Sequence, residues 1–397
     1  MVCCRHNLSE TTERLIFFDF NLTKRRRMKK KILITGGAGF IGSHLADKLI
    51  ENNYHVKALD NLSQQVHGPN AQRPDYLHPE VELIVGDVRD KEVVKRALHD
   101  VDAVFHFAAM VGVGQSMYQI EEYTHVNNVG TAVLLEALID KPVKKLIVAS
   151  SMSIYGEGLY RNGEGSLIHE AERSLDDLRK HRWNLYDETG EYVPVPTPET
   201  KKPNLSSIYA LSKYDQERLC LITGKAYDIP VTALRFFNVY GTRQALSNPY
   251  TGVLAIFASR LLNDNSPLIF EDGQQKRDFV HVKDVARACM LALETEKANG
   301  EVINIGSGNQ YTIEWIAKEL AKVMGKNILP EITAKYRVGD IRHCLSDLTK
   351  AKELLGYEPH VAFDEGMQEL SEWLKDQIAM DEVNKATKEL MERGLTV

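Results

Sequence analysis

Tyr209 and Lys213 lie four residues apart in the run Ile-Tyr-Ala-Leu-Ser-Lys. On a helix that spacing puts a phenol and an ammonium on one face. A phenol ionises at about pH 10 in water, so it acts as a base at neutral pH only with help. A nearby ammonium favours the phenolate, and the same lysine can donate to a ribose hydroxyl. Tyr-x-x-x-Lys alone is common on inert helices, and its surroundings give it meaning. Upstream stands the serine cluster Ser150-Ser151-Met152-Ser153-Ile154-Tyr155-Gly156, after an expected strand. Strand ends at that edge of an α/β sheet point into a ligand crevice. A hydroxyl there, Ser151 for choice, can orient a substrate alcohol and relay its proton to Tyr209. Ser153 is assigned to the substrate beside it.

A second constellation is built for phosphate. Thr35-Gly36-Gly37-Ala38-Gly39-Phe40-Ile41-Gly42 joins the first expected strand to a helix. Gly36, Gly39 and Gly42 let the backbone turn tightly and approach a pyrophosphate, and the N–H groups of the helix start, at Phe40 and Ile41, face its charge. Asp60 ends the second strand 18 residues after Gly42. A carboxylate there accepts from both ribose hydroxyls and repels a 2′-phosphate, which favours NAD over NADP. Asn61 beside it is assigned to the cofactor too. Asp87-Val88 follows the third strand, where an adenine edge would lie. Phe107-Ala108-Ala109 follows the fourth, where small residues let a cofactor pass close to the backbone, and Phe236 follows the sixth. His106 reads as a packed strand histidine rather than a catalytic one.

These residues need a frame. Strands are expected at Lys31–Thr35, His55–Leu59, Val81–Val85, Ala103–Phe107, Lys145–Ala149, Val231–Arg235 and Val302–Ile305. Helix-length segments such as Phe40–Asn52, Lys91–His99 and Glu121–Ile139 lie between most of them. Near-continuous apolar strands alternating with helices imply a buried, doubly wound parallel α/β (Rossmann) sheet. The expected division is an NAD-binding domain over 29–238, recurring at about 278–306. A smaller mixed α/β substrate domain is expected from 239–277 and 307–376, at the sheet's C-terminal edge, with a C-terminal helix or tail over 377–397. Residues 157–203 form a polar insertion, long for a connection and therefore a lid or a disordered loop.

The chain of 397 residues is 43% hydrophobic and 26% charged, with a net charge of −6. The acidic balance argues against a general nucleic-acid binder, and no apolar run approaches the roughly 20 residues that span a membrane. Cys3, Cys4, Cys220, Cys289 and Cys344 are scattered, with neither zinc-site spacing nor the density of a disulfide scaffold. A reducing, cytoplasmic setting and no metal are expected, and the Asn-x-Thr at Asn21 and Asn-x-Ser at Asn204 are then chance matches. Residues 1–27, with the basic run Lys24 to Arg27, read as a disordered lead-in ahead of Met28.

From about Lys31 to Lys375 the chain resembles the extended short-chain dehydrogenases/reductases of the NAD-dependent sugar-nucleotide epimerase/dehydratase type. The resemblance rests on the glycine run from Thr35, Gly-Asp-Val-Arg-Asp from Gly86, Ser-Met-Ser-Ile-Tyr-Gly from Ser151, and Tyr209 with Lys213. It continues through Arg-Phe-Phe-Asn-Val-Tyr-Gly from Arg235, Arg-Asp-Phe-Val-His-Val-Lys-Asp-Val from Arg277, Asn-Ile-Gly-Ser-Gly from Asn304 and Arg-Val-Gly-Asp from Arg337. It implies that Ser151, Tyr209 and Lys213 are the catalytic trio, with Asn127 supporting the cofactor site from behind. It places Asn238, Arg277 and Arg337 on the diphosphate of a nucleotide sugar, with Arg342 as a rival. Two guanidiniums bracketing a pyrophosphate make chemical sense.

Such enzymes share a first step, oxidation of the sugar at C4. The 4,6-dehydratases place Asp-Glu directly after the hydroxyl residue, and decarboxylases keep a Glu there. This chain has Met152 and Ser153, so elimination is disfavoured and 4-epimerisation is expected. The Ser151 stretch, the insertion and the Leu-Ser-Asn-Pro-Tyr-Thr-Gly run from Leu246 are similar to dTDP-L-rhamnose 4-epimerases. A UDP-glucose/UDP-galactose type epimerase, a nucleotide-sugar dehydratase or reductase, and an NAD-binding regulatory protein are the alternatives. Relatives pair two helices into a dimer, which implies a homodimer through Glu121–Ile139 and Ser207–Tyr227.

Overall fold

The computed structural model describes residues 30–69 and 72–396; the expected lead-in, Cys3 and Cys4 lie outside the described residues. Its frame is a seven-stranded parallel sheet of β1 (Lys31–Thr35), β2 (His55–Asp60), β3 (Glu82–Val85), β4 (Ala103–His106), β5 (Lys145–Ser151), β6 (Val231–Phe236) and β7 (Val302–Ile305). The order is 3-2-1-4-5-6-7, so the chain reverses direction across the sheet between β1 and β4. That is where a doubly wound sheet opens a crevice at its carboxyl edge. Burial on both faces explains why the strands read as apolar runs: Ile32 and Ile34 of β1 enter one core, and Leu33 enters the other. Among the described residues, no helix is long and apolar enough to cross a membrane.

The helix expected over Glu121–Ile139 is broken into three parts. A π-helical stretch, Thr124–Val129, separates Ile120–Tyr123 from Gly130–Asp140. Such bulges often sit at functional sites. Here the bulge carries Asn127, fully buried, whose side chain accepts from Met110 N at 2.7 Å and donates to Met110 O at 3.1 Å.

The 157–203 insertion is built, not loose. Val193–Thr197 pairs antiparallel with Leu159–Arg161 and parallel with His343–Ser346. His343–Ser346 pairs with Lys276–Arg277, and the result is a six-stranded sheet separate from the Rossmann sheet. A buried ionic network welds the insertion to it. Arg173 donates to Glu157 at 3.0 Å and to Glu271 at 2.7 Å, while Arg342 pairs with Glu271 at 2.9 Å and with Asp272 at 2.6 Å. The expected lid or disordered loop is therefore a folded, docked segment, and none of its residues lines the main cleft. Its polar composition, which suggested solvent exposure, is instead matched internally. A third core, under the helices Val253–Leu262, Ile313–Val323 and Phe363–Leu374, supports this half.

Candidate active site

The carboxyl edge of the parallel sheet and the chain segments 244–257, 268–279, 337–341 and 383–390 enclose a cleft of about 730 Å³. Tyr209 and Lys213 reach it from the helix Ile208–Tyr227, which starts with a true cap: Ser207 Oγ accepts from Ala210 N at 3.1 Å. The free amide of Tyr209 donates to Ser116 Oγ at 3.0 Å. That satisfies one of the donors that every helix start leaves open.

Ser151 ends β5 and lies at the same end of the cleft. Its Oγ accepts from Ser153 N at 3.2 Å and from Ser153 Oγ at 2.9 Å. With its acceptor side occupied, its own proton is left to donate towards Tyr209, and this hydrogen bond lowers the phenol pKa against burial, which raises it more. The expected lysine assistance is not made directly. Lys213, 3% exposed, donates from Nζ to Gln216 Oε1 at 2.6 Å, and burial lowers its pKa to about 8. The phenol therefore sits above its ordinary range rather than below it. Placing the cation on a neutral amide keeps its charge uncancelled, whereas a carboxylate partner would have neutralised it.

Behind this pair, Glu217 is clamped by Arg235 through two bonds of 2.9 and 2.7 Å and accepts from Ser150 Oγ at 2.6 Å. The clamp ties the Tyr209 helix to β5 and β6. His106 is fully buried. Thr35 Oγ accepts from two backbone amides, so its proton goes to His106 Nδ1 at 2.8 Å. His106 then donates from Nε2 to Thr131 Oγ1 at 2.8 Å. The ring is a neutral packing element, as its strand position suggested.

The glycine turn suits a dinucleotide. Gly36 has φ +71°, and a Cβ there would lie 2.9 Å from Ala108 N. The helix beginning at Phe40 has no side-chain cap and no acidic residue in its first turn, so its amide dipoles are left for an anion. Gly36, Gly39, Phe40, Ile41 and Gly42 all line the cleft, as do Asp60, Asn61, Asp87, Val88, Phe107, Ala108, Ala109 and Phe236. Asp60 takes one backbone amide on each oxygen, from Ala38 and Leu62, both at 3.0 Å. Asn127 does not reach the wall; it bonds the Met110 backbone and Ser212 Oγ, as a support.

Asn238, Arg277 and Arg337 also line the cleft. Asn238 Nδ2 donates to Asp278 O at 2.9 Å. Arg277 is held by the carbonyls of Lys276, Ile341 and Arg342. Arg337 is paired with Asp340 at 2.9 Å, over the Phe270 ring. Arg342, the rival, is 1% exposed, is absorbed by the ionic network and does not line the cleft.

Two groups of lining residues escaped the sequence reading. Gln65 donates to Gln115 Oε1 at 3.1 Å and to Asn248 Oδ1 at 3.0 Å, an amide cluster brought together across 183 positions. The helix Val383–Glu392 adds Val383, Ala386, Thr387 and Leu390 to the wall. Its apolar spacing was the signal, but a surface helix over any core looks the same.

Comparison with known proteins gives a consistent picture. Residues 32–174 and 184–306 match the model of the NAD dependent epimerase/dehydratase family. The chain is 34% identical to dTDP-L-rhamnose 4-epimerase of Burkholderia thailandensis, over 88% of this chain and 96% of that protein. It is similar to the crystal structure of Thermotoga maritima UDP-glucose 4-epimerase with UDP-glucose, with TM-score 0.71, 34% identity, and 87% and 98% of the two chains covered. It also resembles Thermus thermophilus UDP-glucose 4-epimerase in complex with NAD, with TM-score 0.70, 30% identity, and 88% and 100% covered.

Proposed function

The chain belongs to the NAD-dependent epimerase/dehydratase family, and on that premise we propose that it is a nucleotide-sugar 4-epimerase interconverting dTDP-L-rhamnose and dTDP-6-deoxy-L-talose. One observation carries the reaction type. Among the described residues, the carboxylates lining the cleft are Asp60, Asp87, Glu122 and Asp340. Asp60 holds the amides of Ala38 and Leu62, Asp87 accepts from Asn61 and pairs with Arg89, Glu122 shares that Arg89, and Asp340 is spent on Arg337. The Ser151 end offers Met152 and Ser153 where an eliminating enzyme needs an acid and a base.

Bound NAD would accept and return the hydride of the sugar C4. Tyr209 takes the proton of the 4-hydroxyl; Ser151 donates to the Tyr209 oxygen, and for it to relay that proton the 4-hydroxyl must replace one of the two Ser153 donors on Ser151 Oγ. Lys213 supplies the positive charge that favours the phenolate and a donor for the nicotinamide ribose. Arg277 and Arg337 hold the diphosphate, with Asn238 beside them, while the sugar turns to present its other face. The proton on Tyr209 then returns to C4 oxygen. Residues 29–238 with 278–306 serve the cofactor, and the segments 239–277 and 307–376 serve the nucleotide sugar.

Rhamnose is supported by likeness to the Burkholderia enzyme along nearly its whole length; a UDP-glucose type substrate is the second reading, favoured by the structural likeness. A homodimer fits the outward faces of the two helical segments, where Ile120, Val129, Leu211 and Ile222 are exposed. The free, buried thiols Cys220, Cys289 and Cys344 suit a cytoplasmic setting. The test is incubation of the purified protein, without added cofactor, with dTDP-L-rhamnose, UDP-glucose and dTDP-glucose, following C4 configuration by NMR. Inversion of rhamnose to 6-deoxytalose is expected. Release of a 4-keto-6-deoxy product from dTDP-glucose would overturn the assignment.

A further inference from the structure

The helix Val383–Glu392 belongs to neither sheet, yet it delivers one whole face to the cleft. Val383, Ala386, Thr387 and Leu390 line it, while Asn384, Lys385 and Lys388 on the other side are exposed. That division follows the helical period. Three anchors fix the helix. Glu389 Oε2 accepts from both Tyr118 and Tyr250 hydroxyls at 3.1 Å. Arg260 donates to Asp381 at 3.2 Å and to Asn384 at 3.0 Å. Val338 N donates to Leu395 O at 2.9 Å, next to a bridge between Arg337 and Thr396.

The anchors locate the face relative to the chemistry. A Cβ on Gly114 would meet both Leu390 methyls, at 3.4 and 3.5 Å, and Arg337 Cδ at 3.4 Å. Gly114 lies in the turn Val113–Ser116, whose Ser116 Oγ accepts from Tyr209 N. Leu390 thus packs beside Arg337 at Gly114, two residues from the Ser116 that holds the Tyr209 amide. A sugar whose diphosphate meets Arg337 and whose 4-hydroxyl meets Tyr209 would lie close to this face.

We propose that the helix Val383–Glu392 is the sugar-facing wall of the site and selects nucleotide sugars carrying a methyl group, rather than a hydroxymethyl group, at C6. This rests on the function proposed above and names the residues that would select its 6-deoxy substrate. Valine, alanine and leucine offer no partner to a C6 hydroxyl, which would be desolvated without replacement, whereas a methyl group gains from the same burial. Thr387 is the one hydroxyl among the four side chains.

The test is steady-state kinetics of the NAD-loaded enzyme on dTDP-L-rhamnose and UDP-galactose. The proteins compared are wild type, Leu390→Asn, and a chain ending at Gln377. Leu390→Asn is expected to raise KM for dTDP-L-rhamnose about tenfold and to shift selectivity towards the hydroxymethyl sugar, with co-purifying NAD retained. The shortened chain should do the same; if it does not fold, Leu390→Asn and Ala386→Ser decide. Wild-type KM and selectivity in these variants of an active enzyme would overturn the proposal alone. A wild-type protein inert towards 6-deoxy nucleotide sugars would overturn the function reading, and this proposal with it.

Discussion

The ammonium of Lys213 rests on the carboxamide oxygen of Gln216, 2.6 Å away, and Gln216 is in turn fixed by donating to Thr131 Oγ1 at 2.9 Å. Among the described residues, the other groups that act on the lysine leave its charge largely uncancelled. Glu217 is taken by Arg235 and Ser150, His106 is neutral, and burial pushes the Cys220 thiol up to about 12. In Gln216→Glu a carboxylate would pair with the ammonium and remove its pull on the Tyr209 phenolate. We expect kcat to fall about tenfold or more and the acid limb of the pH profile to move upward. A pH–rate series on both proteins measures this; an unmoved limb would contradict it.

Tyr209→Phe deletes the proton acceptor and leaves the cofactor wall intact. Turnover should drop by roughly 10²–10⁴-fold, with co-purified NAD unchanged when measured by absorbance after denaturation. Ser151→Ala should cost less, since the phenol remains.

Asp60 holds two backbone amides, and in the function proposed above its remaining lone pairs would accept from a ribose. Asp60→Ser should weaken NAD binding about tenfold and narrow the gap between NAD and NADP. Calorimetric titration of the stripped protein with each dinucleotide reads both effects.

His106 should make stability depend on pH. Burial first, and the Lys213 charge second, lower its pKa from 6.5 to about 3. The unfolded chain binds this proton below pH 6.5 while the fold refuses it, so stability is lost as pH falls from 6.5 towards 3. Between pH 7 and 5.5 this one ring should cost about 1.3 kcal/mol. Urea unfolding at the two pH values should show that much more loss in wild type than in His106→Gln.

Arg173 lies at 4% side-chain exposure between Glu157 and Glu271. Arg173→Ala strands two buried carboxylates, and we expect a loss of about 3–5 kcal/mol, read from the urea midpoint. Parallel loss of the insertion's amide protection in hydrogen exchange would place the damage there.

The seven strands and the glycine turn were legible because their signals are local. Apolar runs such as Ile32–Ile34 need only their own sequence to declare a strand buried on both faces. The insertion was not, because Val193–Thr197 earns its place by pairing with His343–Ser346 nearly 150 positions away. Arg173 and Arg342 look like solvated charges until their carboxylates are seen. Arg337 and Arg342 are equal as residue types; only the start of the His343–Ser346 strand sends one to the cleft and the other into the network. The amide cluster of Gln65, Gln115 and Asn248 carries no spacing signal at all. The reversed shift of Tyr209 was hidden for a related reason: helix spacing brought Lys213 near, but Gln216 decided where its ammonium points.

The wall made by Val383–Glu392 has a consequence for the order in which the molecule comes into being. The strand ends that line the cofactor side are complete once Phe236 has been added, but Leu390 follows more than 150 residues later. At usual synthesis rates that gap lasts on the order of ten seconds. A nascent chain would hold the strand ends of the dinucleotide side well before the helix that completes the cleft, so the two sides of the site come into being in that order.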